Sequence, residues 1–224
     1  MQYDNHDGIV TITIDDGKAN VVSHAFIDDL YAALENAEQT PAKAVILRGK
    51  AGLFSAGFDL REFEKGPAEG AALALRGFQL LTRLYSFPLP LIAACTGHGI
   101  AMGAFIIMAC DLRIAVRGDF KMSLPETAIS MDMPAVPLAI VKSCIAPQHL
   151  TRVALLSQVY NPEQALEAGF IDELVDVDTL SERCLEAAVK MGQLPPTQFA
   201  KNKLIVREDA LTSMRASLAE ESGD

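Results

Sequence analysis

The stretch KAVILRGKAGLFSAGFDLREF, Lys43 to Phe63, decides how this chain is read. It opens as a short buried strand, KAVILRG, and breaks into a loop, AGLFSAGFDL. That loop sets Ala56 and Gly57 between Phe54 and Phe58 and follows them with Asp59 and Leu60. A glycine weakens a strand interior, and flanking phenylalanines do not suit a plain surface turn. A glycine inside an apolar run marks a place where another backbone or a ligand comes close. The loop lies at the C-terminal end of its strand, the end at which α/β sheets gather ligands.

Working outward, GIVTITI (Gly8 to Ile14) alternates, with Val10, Ile12 and Ile14 on one face, which predicts a half-buried strand. The loop DDGKANVVS follows, and Ser23 is placed to cap a helix whose stripe is Phe26, Leu30, Ala33 and Leu34. Downstream, residues 69–85 read as a helix ended by SFPLP, LIAACTG as a strand, and IAMGAFIIMAC, apolar all round, as a buried helix. DLRIAV and FKMSL read as strands. After Pro125 the pattern turns helical and only FIDELVD interrupts it; TQFAKNKLIVREDALTSMRASLAEE reads as one long helix. Strands with crossover helices followed by helices make an α/β core with a helical C-terminal region. The division falls at residues 1–145 and 146–224.

Half of the 224 residues are hydrophobic, enough for a substantial core. Nineteen Lys and Arg stand against 29 Asp and Glu, a net charge of -10, which argues against a nucleic-acid partner. No apolar run has membrane-spanning length, and the N-terminus lacks the signal-peptide pattern. Cys95, Cys110, Cys144 and Cys184 form no CxxC pair, so reduced buried thiols in a cytoplasmic protein are expected, with no metal site. Lys18, Arg48, Lys50, Arg61 and Lys65 lie near the opening stretch, as ordinary solvated charges or as a phosphate-binding cluster.

Three segments have the character of a site: FSAGFDL, TGHGIAMGAF and SLPETAISM, each read at the C-terminal end of an apolar strand. The first two are glycine-bearing loops that could each present a backbone N–H, and two convergent N–H donors suit an oxyanion. The second also opens a helix, whose N-terminus favours negative charge. Each residue has a plainer reading beside this one. Glu126 is by default a first-turn helix acid, Asp59 an N-cap, His98 a hydrogen-bonded structural histidine, and Asp111 a member of an ion pair or turn.

In this order and spacing the segments resemble the crotonase superfamily, the enoyl-CoA hydratase and isomerase proteins. KAVILRGKAGLFSAGFDLREF, PLIAACTGHGIAMGAFIIMACDLRIA, FKMSLPETAI and NPEQALEAGFIDELVD carry the likeness, with GKANVVS before the first helix. The resemblance implies a crotonase-like ββα spiral core and a site for the thioester of an acyl-CoA, bound as substrate rather than as a permanent cofactor. Two N–H groups, falling on Phe58 and Met102, would hold the thioester oxygen. Lys18, Ala19, Val21, Ser55, Ala56, Gly57, Asp59 and Leu60 would line the substrate from one side, and Ala101, Gly103, Phe105, Pro125 and Glu126 from the other. On this reading Ala56 and Gly57 are small so that the thioester can approach the backbone.

The chain departs from the family pattern twice within the site. AMGA stands where consecutive glycines are common, and Phe105 stands where a hydratase carries the first of two glutamates, leaving Glu126 alone. One carboxylate suffices to move a proton from C2 to C4 of a 3-enoyl-CoA, so the resemblance implies an isomerase. A hydratase, with water held by Glu126 and by His98 or Glu62, is the alternative, and a silent acyl-CoA-binding homologue is the third reading. The family also implies a homotrimer or hexamer, and relatives that run on past SLAEESGD.

Overall fold

A computed structural model of the chain describes residues 1–222. Strand β2 (Ile9–Thr13) lies beside β3 (Ala44–Arg48), and β3 beside β5 (Leu91–Cys95), all parallel, with Val10 opposite Val45 and Ile46 opposite Ile92. Four of the five residues of β3 and all of β5 are buried. Such runs belong to strands covered on both faces. β7 (Leu112–Val116) and β9 (Glu173–Val175) extend the sheet on one side. On the other, the polar segment β1 (Gln2–His6), which has no alternation to betray it, pairs antiparallel with β2. The six strands run in the order β1-β2-β3-β5-β7-β9.

A second sheet takes two of its three strands from segments that the sequence presents as loops, and the third from the expected strand FKMSL. β4 (Gly52–Ser55), β6 (Gly97–Ile100) and β8 (Met122–Ser123) pair in that order, all parallel. Glycine makes the first pairing possible. A Cβ on Gly97 would stand 1.9 Å from the carbonyl carbon of Gly52, so only a bare backbone fits.

Helix α1 (His24–Gln39) starts where Ser23 accepts the Phe26 N–H, as the cap signal predicts. Short α2 (Leu60–Glu64) is capped by Asp59, and α3 (Pro67–Tyr85) follows at once. The all-apolar α4 (Met102–Ala109) is buried along its whole length. α5 (Ala135–Cys144), α6 (Pro147–Ala154), α7 (Pro162–Ala168) and α8 (Leu180–Met191) account for the helical second half. The last predicted helix is two: α9 (Pro196–Val206) and α10 (Glu208–Ser222), broken at Arg207. No glycine or proline makes that break. The Arg207 guanidinium instead donates to the Tyr85 and Ala109 carbonyls and lies 4.1 Å from the Tyr85 ring centre, so tertiary contacts turn the chain.

The main core, with Val10, Val45, Leu47 and Phe54, fills the sheet face shared with α1, α3, α4 and α5. The opposite face, with Ile46, Ile92 and Ile114, is closed by Leu180, Cys184 and Ala187 of α8. α10 packs on α5 and α3, and β9 belongs to the large sheet, so residues after 145 contribute to both layers.

Candidate active site

The first loop leaves β4 under tight constraint. Asn20, buried and left-handed at φ 49°, donates to the Ile14 and Phe54 carbonyls, and Ser55 Oγ donates to the Asn20 carbonyl. The Ala56 N–H is taken by Ala19, and the Val22 N–H by Gly57. The Asp59 N–H is taken by Val22. Between these ties lies Phe58, whose N–H makes no hydrogen bond among the described residues. Gly57 takes φ +100°, a region that L side chains avoid. A Cβ there would lie 3.0 Å from the Ala101 methyl and 3.2 Å from the Ile100 carbonyl. The glycine is therefore small so that the second loop can close against it.

The second loop reciprocates. Gly103 faces β4 so closely that a Cβ would stand 2.4 Å from the Ser55 carbonyl oxygen. Ala101 holds φ 49° and ψ -122° just before α4, which leaves Met102 as the first residue of that helix. Its N–H, one of the orphan donors of a helix start, likewise has no partner among the described residues. The Met102 side chain is buried and its methyl points towards Gly77 of α3. Two glycines thus lock two loops together, each loop carrying one unclaimed N–H.

The third segment supplies the acid. β8 ends at Ser123, and Glu126 sits at the entry of a single 3₁₀ turn, Thr127–Ile129. It is only 7% exposed, and its Oε2 has no hydrogen-bond partner among the described residues. Burial without a compensating cation disfavours the carboxylate and pushes its pKa up to about 7.

All three segments open on one cavity of about 650 Å³ with a largely apolar wall. Val21, Ala56, Phe58, Asp59, Leu60, Ala101, Met102, Phe105, Pro125 and Glu126 line it. Of the other expected residues, Lys18 and Ala19 lie in the loop before α1, and Ser55, Gly57 and Gly103 lie behind the wall, holding the loops.

A family-wide profile described as Enoyl-CoA hydratase/isomerase matches residues 4–223. The chain belongs to the enoyl-CoA hydratase/isomerase family. It is 28% identical over 219 residues to a probable enoyl-CoA hydratase of Bacillus subtilis, covering 94% of this chain and 83% of that one. It is 27% identical over 212 residues to human mitochondrial enoyl-CoA delta isomerase 1, covering 93% and 70%. A solved family protein from Pseudomonas syringae superposes with a TM-score of 0.94 at 32% identity, over 98% of this chain and 95% of that one. An enoyl-CoA isomerase structure from Mycobacterium tuberculosis gives 0.93 at 34%, over 100% and 97%. The fold is the crotonase fold.

Within this family member several other expected residues take plainer roles. Asp59 caps α2 and holds Arg61 at 2.7 Å, a contact that keeps its carboxyl pKa low. His98 Nδ1 accepts the Lys121 N–H. Asp111 pairs with Lys203 and Arg207. Arg48 reaches Ser181 on α8, away from the cavity, Lys50 donates to the Lys18 carbonyl, and Lys65 pairs with Glu62.

Sequence reading missed the far wall: Phe63, Ala74, Phe78, Ile129, Met131 and Pro134. Ala74 and Phe78 are four apart on α3, so they share the face that meets the cavity. The other missed signal was Asn20, the brace behind the first loop.

Proposed function

We propose that the chain isomerises 3-enoyl-CoA to 2-enoyl-CoA, with Glu126 as its acid–base group and the Phe58 and Met102 N–H groups as thioester-oxygen donors. The carrying observation is Glu126 itself, buried, unpaired at Oε2 and facing a cavity whose wall includes Phe105 in place of a second buried carboxylate. The carboxylate takes a proton from C2, and the electron pair moves into the dienolate, whose oxygen lies between the two N–H donors. The resulting carboxylic acid returns that proton at C4, and the double bond is left between C2 and C3. One group serves both transfers, and a pKa near 7 suits a proton carrier working near neutral pH.

Hydration asks for a second group to orient water. The other acids on the cavity wall are Asp59, engaged by Arg61, and Asp132, which is exposed. His98 and Glu62, the expected helpers, are engaged with the Lys121 N–H and with Lys65. The coenzyme would enter as part of the substrate, its phosphates beside exposed Lys18 and Arg61. The expected trimer or hexamer rests on the family likeness, and exposed Leu204, Ile205 and Val206 on α9 offer apolar surface.

The test is a pair of initial rates, on 3-enoyl-CoA and 2-enoyl-CoA thioesters, for wild type and Phe105→Glu. Wild type should isomerise far faster than it hydrates. Phe105→Glu should raise hydration while losing stability from the added buried acid. Fast hydration by the wild type would overturn the isomerase reading, and no turnover of either thioester would favour a silent acyl-CoA binder.

A further inference from the structure

Helix α3 meets the cavity through Ala74 and Phe78, and beside them two glycines leave notches in its surface. Gly70, Ala74 and Gly77 follow one another at four and three residues, so they stack along one side over about two turns. Each glycine seats a phenylalanine ring from the segment that carries the first N–H donor. A Cβ on Gly77 would lie 2.5 Å from both Cε1 and Cζ of Phe58, and one on Gly70 would lie 2.8 Å from Cδ1 of Phe63. Real carbon contacts do not come that close. Both glycines are buried, whereas the two rings are partly buried and line the cavity. The rings also brace each other, with Phe58 5.8 Å from Phe63 and 6.4 Å from Phe78 between centres.

The helix does not need glycine for its own sake, because alanine is the better helix former at an interior position. Neither glycine has a positive φ. What the two positions provide is depth, since each ring sinks into α3 where a methyl group would stand. We propose that Gly77, with Gly70 beside it, is a specificity-determining residue: the notches hold the Phe58 and Phe63 rings back and so set the length of acyl chain the cavity admits. The inference rests on reading this cavity, which also holds the unpaired Glu126 Oε2, as the acyl site. A methyl on Gly77 must move the Phe58 ring by about 1 Å to restore ordinary contact. With α3 behind it and Phe63 and Phe78 beside it, the ring moves towards the cavity.

The experiment measures binding of saturated acyl-CoAs, from butyryl to dodecanoyl, by calorimetry on the intact protein. It needs no turnover and is indifferent to isomerase or hydratase chemistry. Gly77→Ala should leave butyryl-CoA affinity close to wild type and weaken dodecanoyl-CoA at least tenfold. Adding Phe58→Leu, which removes the ring that the methyl displaces, should restore most of the long-chain affinity. Gly70→Ala with and without Phe63→Leu repeats the test at the second notch and keeps it decisive if one variant fails to fold. An unchanged chain-length profile in both glycine variants, or a loss that neither leucine partner relieves, would overturn the notch. Failure of the wild type to bind any acyl-CoA would overturn the reading of the cavity along with it.

Discussion

Glu126 and Asp111 sit in the same core, one after β8 and one before β7, and both are about nine-tenths buried. Their surroundings differ completely. Asp111 receives Lys203 at 2.7 Å, Arg207 at 3.0 Å and the Leu91 N–H at 2.8 Å. Those bonds tie α9 and the turn into α10 to the starts of β5 and β7 in the large sheet. Glu126 receives nothing at Oε2 from the described residues and faces the cavity. A buried charge is tolerated when it is paired and hydrogen-bonded, and otherwise its pKa moves. Asp111 follows the first course and works as a clasp. Glu126 follows the second, which leaves it poised to exchange a proton.

The largest expected effect breaks the comparison at its chemical end. Glu126→Gln keeps the shape and removes the base, so turnover should fall roughly a hundred-fold to ten-thousand-fold. Affinity for acyl-CoA should barely change, and stability at neutral pH should not fall. Full activity in this variant would return Glu126 to a plain role at the start of a turn. Asp111→Ala should do the reverse. It strands two buried cations, and removing one partner of a buried ion pair costs about 3–5 kcal/mol. Denaturant unfolding should show that loss, while turnover per folded molecule stays close to wild type. A variant as stable as wild type would show that Asp111 is no clasp.

Much of this contrast was legible in the chain, and some was not. Glu126 stands out because it follows a proline at the end of a strand in the third of three ordered segments, and Asp111 reads as a member of an ion pair or turn. Which cations Asp111 meets was hidden, since Lys203 and Arg207 lie more than ninety residues away on helices whose break no local signal marks. β4 and β6 were lost for a related reason. Gly52 and Gly97 erase the alternation that identifies a strand, yet they are what allows the two backbones to meet. Gly57 is a point of close approach, as its place in an apolar run suggests, and its nearest neighbours are the Ala101 methyl and the Ile100 carbonyl. The far wall escaped because nothing local in residues 69–85 shows which face of that helix turns to the cavity, or that Gly70 and Gly77 seat rings. Burial of β3 and β5, Ser23 as a cap and α4 as a buried helix needed only local pattern.

An intermediate effect concerns pH. The Glu126 carboxyl titrates near 7 in the folded chain and near 4.5 when exposed. Between those values the folded state holds a proton that the unfolded state has lost, so this group's contribution to stability is complete below about 4.5 and declines as pH rises through 7. The shift corresponds to about 3 kcal/mol. Glu126→Gln lacks this dependence, so its stability relative to wild type should grow by about that amount between pH 4.5 and pH 8. Activity runs the other way: kcat/KM should rise with pH through about 7 and then level off, because the base is the ionised form. Parallel stability curves for the two proteins would sink the buried-acid account even if the variant were inactive.

The smallest expected effect tests how the donor loop is held. Ala101 carries φ 49° and ψ -122°, a conformation that costs a residue with a side chain of order 1–3 kcal/mol and costs glycine little. Ala101→Gly should remove that strain, while the freer unfolded chain takes back part of the gain. The net change should be a stabilisation of about 1 kcal/mol, seen as a higher denaturant midpoint with an unchanged slope. The functional consequence should have the opposite sign. Ala101 is the last residue before α4 and fixes the direction of the Met102 N–H, and a more mobile residue there aims that donor less firmly. kcat should therefore fall slightly, with acyl-CoA affinity retained. Destabilisation by Ala101→Gly would mean that the Ala101 methyl, packed beside Gly57, contributes more by contact than its backbone loses by strain.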